Sequence, residues 1–316
     1  MLHRIRAGVA VAVLALCGQQ PVALAAEALT TNQPADSLSF VDLATMKSVA
    51  TLAIGGKPAG IALSPDRTKA YVTAPDSKEL VEVDAVSRVV TRRLALGGGP
   101  LGIAAHPSLP EVYVADWFSH RVIVIDAQSL TVTGSIEVGQ SPSGLAVTPD
   151  GRLLLSADRD SDSVSIIDIA TRTRVASIPA GQRPFGVTID AKGERAYIAN
   201  VKSNDVSVID IAARRLIGTI PTGRRPYAVA LARGRGFSTD QYGGGITVFD
   251  LGTLSPIKTV RLCDHPEGIE ADASGSDVYV ACWGDNVLIR LDADTLKVTG
   301  KADVGDGPRA FGKFLR

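Results

Sequence analysis

GQRPFGVTIDAKGERAYIANVKSNDVSVIDIAARRLIGTIP, residues 181–221, holds four short extended runs: GVTID, RAYIAN, DVSVID and RLIGTIP. Each is rich in Val, Ile and Thr and bounded by turn chemistry, with Ala-Lys-Gly joining the first two as a hairpin. The same unit returns in both directions. Prolines in a G-x-x-P setting, with Cys263 replacing the glycine before Pro266, stand at Pro58, Pro100, Pro142, Pro184, Pro226, Pro266 and Pro308, spaced by 42, 42, 42, 42, 40 and 42 residues. An aspartate keeps the same beat at Asp42, Asp84, Asp126, Asp168, Asp210, Asp250 and Asp292, where a following Thr or Ser suits an Asx-type turn. Four strands in about 40 residues make a propeller blade. The expected fold is all-β, a seven-bladed β-propeller of four-stranded blades.

Small residues follow the prolines at Gly60, Gly102, Gly144, Gly186, Ala228, Gly268 and Ala310, where inner strands converge and bulk is least tolerated. Pro308 opens only one strand, RAFGKF. The three missing strands are EALTTN, SLSFVD and SVATLAI within residues 27–54; EALTTNQPADSLSFVD (27–42) lies without a gap on RAYIANVKSNDVSVID (195–210). The last blade is therefore expected to join one C-terminal strand to three N-terminal ones, which closes the ring and removes its open edges. Residues 27–316 read as one domain.

Residues 1–26 carry a basic start (His3, Arg4, Arg6), the apolar run AGVAVAVLAL, and Ala23-Leu24-Ala25. That is the layout of a cleaved export signal, with cleavage near Ala25 and a periplasmic or secreted product. Cys17 raises a lipid anchor as the alternative, although Leu16 stands where such signals require a small residue. No second hydrophobic span follows, so no integral membrane span is expected. Charge is balanced, 33 basic against 33 acidic residues, which argues against a chain-wide polyanion-binding role; no nucleic-acid partner is expected.

AYVTA (70–74), VYVAD (112–116), AYIAN (196–200) and VYVAC (278–282), each followed by a V-x-V-x-D-like strand, resemble the YVTN-repeat β-propeller family of exported bacterial and archaeal proteins. The resemblance covers the whole mature chain and implies envelope-located binding, scaffolding or accessory roles more than a defined reaction. Its motif residues belong to turns and core, so function has to be argued from a site.

That site is sought where the copies disagree. Inter-blade loops and loops between second and third strands share one face, around a channel mouth. Before the repeated proline stand Lys57, Gly99, Ser141, Arg183, Arg225, His265 and Gly307; after it stand Ala59, Leu101, Ser143, Phe185, Tyr227, Glu267 and Arg309. The second strands end on Asn32, Ala74, Asp116, Asp158, Asn200, Asp240 and Cys282, with Trp117 and Trp283 next to two of them. Aromatics beside guanidinium groups suit an anionic small molecule or an envelope partner protein. The candidate ligand-binding set is Lys57, Trp117, Arg183, Phe185, Arg225, Tyr227, His265, Glu267, Trp283 and Arg309, with Phe185 and Tyr227 forming two adjacent aromatic-plus-cation units with Arg183 and Arg225. The competing reading pairs the arginines with Asp116, Asp158, Asp240 and Glu267 as a solvated rim.

The blade opened by Pro266 departs most, with Cys263, His265, Glu267, Glu270, Cys282 and Trp283. Two cysteines on one blade of an exported chain favour a disulfide, Cys263 to Cys282. Hairpin register places Cys282 opposite the neighbourhood of Glu267, so a bridge requires the turn to fold back. A thiophilic metal site on Cys263, His265 and Cys282 is the alternative, with no compact metal spacing behind it. No metal, cofactor or catalytic residue is assigned. No nucleophile elbow, zinc-protease helix or dinucleotide fingerprint is present, and His106 in HPSLP reads as a turn residue. The residues favour an exported binding or scaffold protein over an enzyme. The alternative is a lactonase-like hydrolase or a propeller component of a periplasmic quinoprotein or amine dehydrogenase system.

Overall fold

The computed structural model describes residues 26–316; the export-signal reading of the leading segment lies outside the described residues. Among them, no helix is long and apolar enough to cross a membrane. The quoted stretch forms Pro184–Ile189, Arg195–Asn200, Asp205–Asp210 and Arg215–Pro221, an antiparallel sheet in sequence order. Seven such blades make a β-propeller whose inner strands ring a channel.

Burial follows position in the blade. The second strand, Arg195–Asn200, is sandwiched between neighbouring blades and buried at every residue after the first, so its sequence is a nearly unbroken apolar run. The outermost strands, such as Val89–Ala95, alternate exposed and half-buried residues, because only one face meets a neighbour. The repeated aspartates form the expected turns. Asp168 Oδ1 accepts the Thr171 N–H at 2.9 Å and its hydroxyl at 3.0 Å, and these donors hold its carboxyl below the usual range.

Five of the inner strands carry a bulge just after the proline, as between Pro142 and Leu145, which bends the strand around the axis. The small residues after the prolines sit where backbones meet. A Cβ on Gly102 would lie 1.7 Å from the Ser143 carbonyl oxygen, and one on Gly144 2.3 Å from that of Phe185.

Closure joins Glu27–Asn32, Ser37–Asp42 and Lys47–Ala53 to residues 308–316. RAFGKF is not the continuous partner of EALTTN that the repeat predicts. Its flanks pair with the first strand, through Asn32 to Pro308 and Ala28 to Leu315, while Phe311–Gly312 pairs in parallel with Gly60–Ile61 of the next blade. The reason is local: Ala310 at φ 44° and Gly312 at φ 130° kink the strand away from its own sheet. Glu27 then locks the seam, taking Arg316 Nε at 2.8 Å and a second cation from Arg88.

Candidate functional site

The two ends of the channel are built differently. The upper end carries the inter-blade loops and the loops between second and third strands. Here bulky residues, Phe185 and Tyr227 just after their prolines and Phe311 three residues after Pro308, meet on the axis. Phe185, Tyr227 and Phe311 pack with ring centroids 4.7, 4.8 and 5.4 Å apart, all buried, with Leu101 and Trp117 against them. Beside this plug, Arg309 Nε donates to Glu267 Oε2 at 3.0 Å and to the Tyr227 hydroxyl at 2.9 Å, and its Nη1 donates to Gln33 Oε1 at 3.1 Å. Gln241 Nε2 donates to the other Glu267 oxygen at 2.6 Å. Burial pushes the Glu267 carboxyl up against the opposing pull of Arg309. For Arg309, burial disfavours the cation, but Tyr227 and Glu267 outweigh it and hold the guanidinium charged.

The structure thus brings Phe185, Tyr227, Glu267 and Arg309 into one buried network and leaves the other candidates around it. Lys57 Nζ lies 3.0 Å from Asp36 Oδ2. Arg183 and Arg225 are exposed at φ 55° and 54°, their N–H groups capped at 2.8 Å by Asp162 and Asn204. The paired aromatic-plus-cation units do not form as expected: Phe185 and Tyr227 are adjacent, but the cation over Tyr227 is Arg309, while Arg225 lies over Tyr242 at 4.2 Å. His265 sits between Tyr242 and Trp283, with centroids 5.1 and 6.1 Å away, and Arg159 covers Trp117 at 5.2 Å.

The rim ion pairs of the competing reading are also only partly present. Glu267 pairs with Arg309 and Asp116 with Arg121, but Asp158 and Asp240 are buried inside their blades. Asp158 accepts the hydroxyls of Ser156 and Ser165, and Asp240 that of Thr247 at 2.7 Å. Burial raises both carboxyls, that of Asp240 to about 6. Cys263 and Cys282 are joined, with Cα atoms 6.0 Å apart and Cys282 opposite Pro266, which takes both thiolates from the metal alternative.

At the lower end the plug gives way to a cavity of about 630 Å³. It exists because the inner strands carry small residues there: Ala62, Ala104, Ala146, Thr188, Ala230 and Gly312 share one register. The exception in that register is Glu270, the one ionisable side chain that an inner strand itself places on the wall. Its Oε2 accepts the N–H groups of Phe314 at 2.6 Å and Leu315 at 2.9 Å, which leaves Oε1 toward Lys313 Nζ, 3.5 Å away. Lys313 is itself the only charge in a register otherwise held by Leu63, Ala105, Val147, Ile189, Leu231 and Ala271. Asp190 and Asp272, at the rim, are occupied by N–H groups of their own turns. His106 is a turn residue: Nδ1 accepts from Ser108 and Leu109, so Nε2 carries the proton donated to the Gly151 carbonyl at 2.9 Å.

Sequence reasoning noted Glu270 but missed Lys313, Phe311 and Gln241. The signal for the first two was the same comparison of copies, applied five and three residues after each proline.

Three comparisons bear on identity. A seven-bladed β-propeller lactonase family matches residues 62–219, half of the chain. No curated protein matches. Among solved structures, Kuenenia stuttgartiensis hydrazine synthase is 21% identical over 81% of this chain and 89% of that one, with a TM-score of 0.72. A functionally unknown protein from Desulfotomaculum acetoxidans DSM 771 is 15% identical over 90% and 99%, with a TM-score of 0.75. The dihydro-heme d1 dehydrogenase NirN is 15% identical over 92% and 74%, with a TM-score of 0.67. At these identities the structures show the shared fold. The family match replaces the narrower YVTN-repeat resemblance and overturns the reading against an enzyme. The chain belongs to the lactonase family of seven-bladed β-propellers.

Proposed function

We propose that the protein is a lactonase-like hydrolase that opens a cyclic ester in the lower cavity. The observation that carries this reading is the Glu270–Lys313 pair on a largely aliphatic wall whose other ionisable groups, Asp190, Asp272 and Arg233, lie at strand ends and loops. Two backbone N–H groups fix Glu270 Oε2, so Oε1 is the oxygen available as general base. It takes a proton from a water molecule as that water's oxygen bonds to the ring carbonyl carbon. The carbonyl π pair moves onto oxygen, where the Lys313 ammonium offsets the developing charge. Collapse breaks the ring C–O bond, and the proton passes from Glu270 to the departing oxygen. The upper mouth has less support as a ligand site, because its own side chains fill it. The Cys263–Cys282 bridge supports work in an oxidising compartment, outside the cytoplasm.

The test is acid release from a panel of lactones, followed by pH-stat. Wild type should release acid from at least one ring class, and Glu270→Gln, which keeps an acceptor for the two N–H groups, should lower kcat by about 10²–10⁴. Absence of acid release across the panel, or a Glu270→Gln variant as fast as wild type, overturns the assignment.

A further inference from the structure

The lower cavity is a one-sided chamber. Its ionisable wall groups are Glu270 and Lys313 in one sector, with Asp190, Asp272 and Arg233 at strand ends and loops. Asp190 and Asp272 are consumed by turn N–H groups, and Thr188 donates its hydroxyl to the Val229 carbonyl at 2.6 Å. Across from the charged sector the wall is aliphatic, including Ile103, Leu145, Val147 and Ile189, and the aromatic plug bounds the inner end through Phe311. The volume, about 630 Å³, would hold roughly twenty waters at their liquid volume. It lies in the usual range for a small-molecule site, ~300–1,000 Å³.

Resting on the hydrolase reading, we infer that the substrate is an amphiphilic lactone: a compact polar ring set at Glu270 and Lys313, bearing an uncharged acyl or alkyl body that fills the aliphatic wall. A polyhydroxylated or phosphorylated ring finds few side-chain donors here. Six or more hydroxyl and phosphate oxygens would lose their water against an aliphatic wall whose cationic side chains are Lys313 and the rim Arg233, which desolvation disfavours. An alkyl body gains instead up to about fourfold in affinity per buried methylene.

The experiment is calorimetric binding of γ-butyrolactone, γ-octalactone, γ-dodecalactone and glucono-δ-lactone to the whole protein, with acid release measured in parallel. Affinity should rise about two- to fourfold per methylene through the alkyl series, and glucono-δ-lactone should bind at least a hundredfold more weakly than γ-dodecalactone. Filling the chamber with Ala105→Phe and Ala146→Phe should remove γ-dodecalactone binding. If that variant does not fold, the chain-length series on wild type carries the test alone. A flat series, or tighter binding of glucono-δ-lactone, overturns the inference even if acid is released. Tight, chain-length-dependent binding without acid release keeps the amphiphilic site and overturns the hydrolase reading.

Discussion

The upper and lower ends of one channel are made from the same seven inner strands, yet one is full and the other open. One residue past five of the seven prolines the strands carry Leu101, Phe185, Tyr227, Glu267 and Arg309, which close on the axis, with Ala59 and Ser143 at the other two; four residues past, they carry mostly alanine. The upper end is rich in the residue types that recognition uses, and those residues recognise one another. The lower end is poor in such residues and has room. Chemical character alone points to the wrong end; volume points to the other.

Four changes would break or sharpen that contrast. The largest effect is expected from Arg309→Ala, which leaves Glu267 buried without its cation. It should cost about 3–5 kcal/mol in urea unfolding, while kcat of the folded fraction stays at the wild-type value. A loss of kcat with stability intact would make the plug part of the site. Reducing the Cys263–Cys282 bridge, which closes a loop of sequence separation 19, should cost roughly 3 kcal/mol if unfolded-chain entropy dominates. A midpoint unmoved by reductant would show that the bridge merely decorates the upper face.

Asp240 separates structural from functional carboxylates. Unfolded, it ionises at its ordinary value of 3.8; folded, burial lifts it to about 6. Between those values the folded state keeps a proton that the unfolded chain has released. Its contribution therefore falls as pH rises, and the penalty is complete above about pH 6. Asn occupies the same register at Asn32 and Asn200, bonded to serine hydroxyls. Asp240→Asn should thus stabilise the protein by roughly 1–3 kcal/mol at pH 8, with the gain fading toward pH 4. Equal midpoint shifts at both pH values would show that Asp240 is ionised throughout. The smallest effect is expected from Arg183→Ala combined with Arg225→Ala. Both side chains are exposed, so stability should move by less than about 1 kcal/mol and lactone turnover should not change. A large drop in turnover would return the site to the upper rim.

The open end was half-legible. Glu270 stood out as one of two acids on the inner strands, but Lys313 follows a proline by five residues, outside the loop registers in which the copies were compared. Its significance depends on lying 3.5 Å from Glu270, 43 residues earlier in sequence (313 − 270), a proximity that only the closed ring creates. The plug escaped for the same reason. Phe311 sits where the other copies carry Ile, Leu or Val, and its bulk matters only because Phe185 and Tyr227 come to the axis at the same height.

What the sequence determined by itself was everything a single repeat can specify. Strand pairing, the Asp turns and the glycines at inner-strand crossings follow from patterns within about 40 residues, because pleat, turn geometry and hydrogen-bond register are local, and repetition of that pattern along the chain gives the blade number and the use of residues 27–54 to finish the last blade. Tertiary structure decided which end of the channel is open, which cation covers Tyr227, and why the middle of RAFGKF leaves its own blade for Gly60–Ile61. Those outcomes depend on the summed volumes of side chains brought to one axis from seven distant places. Close packing responds to that sum, and no single repeat contains it.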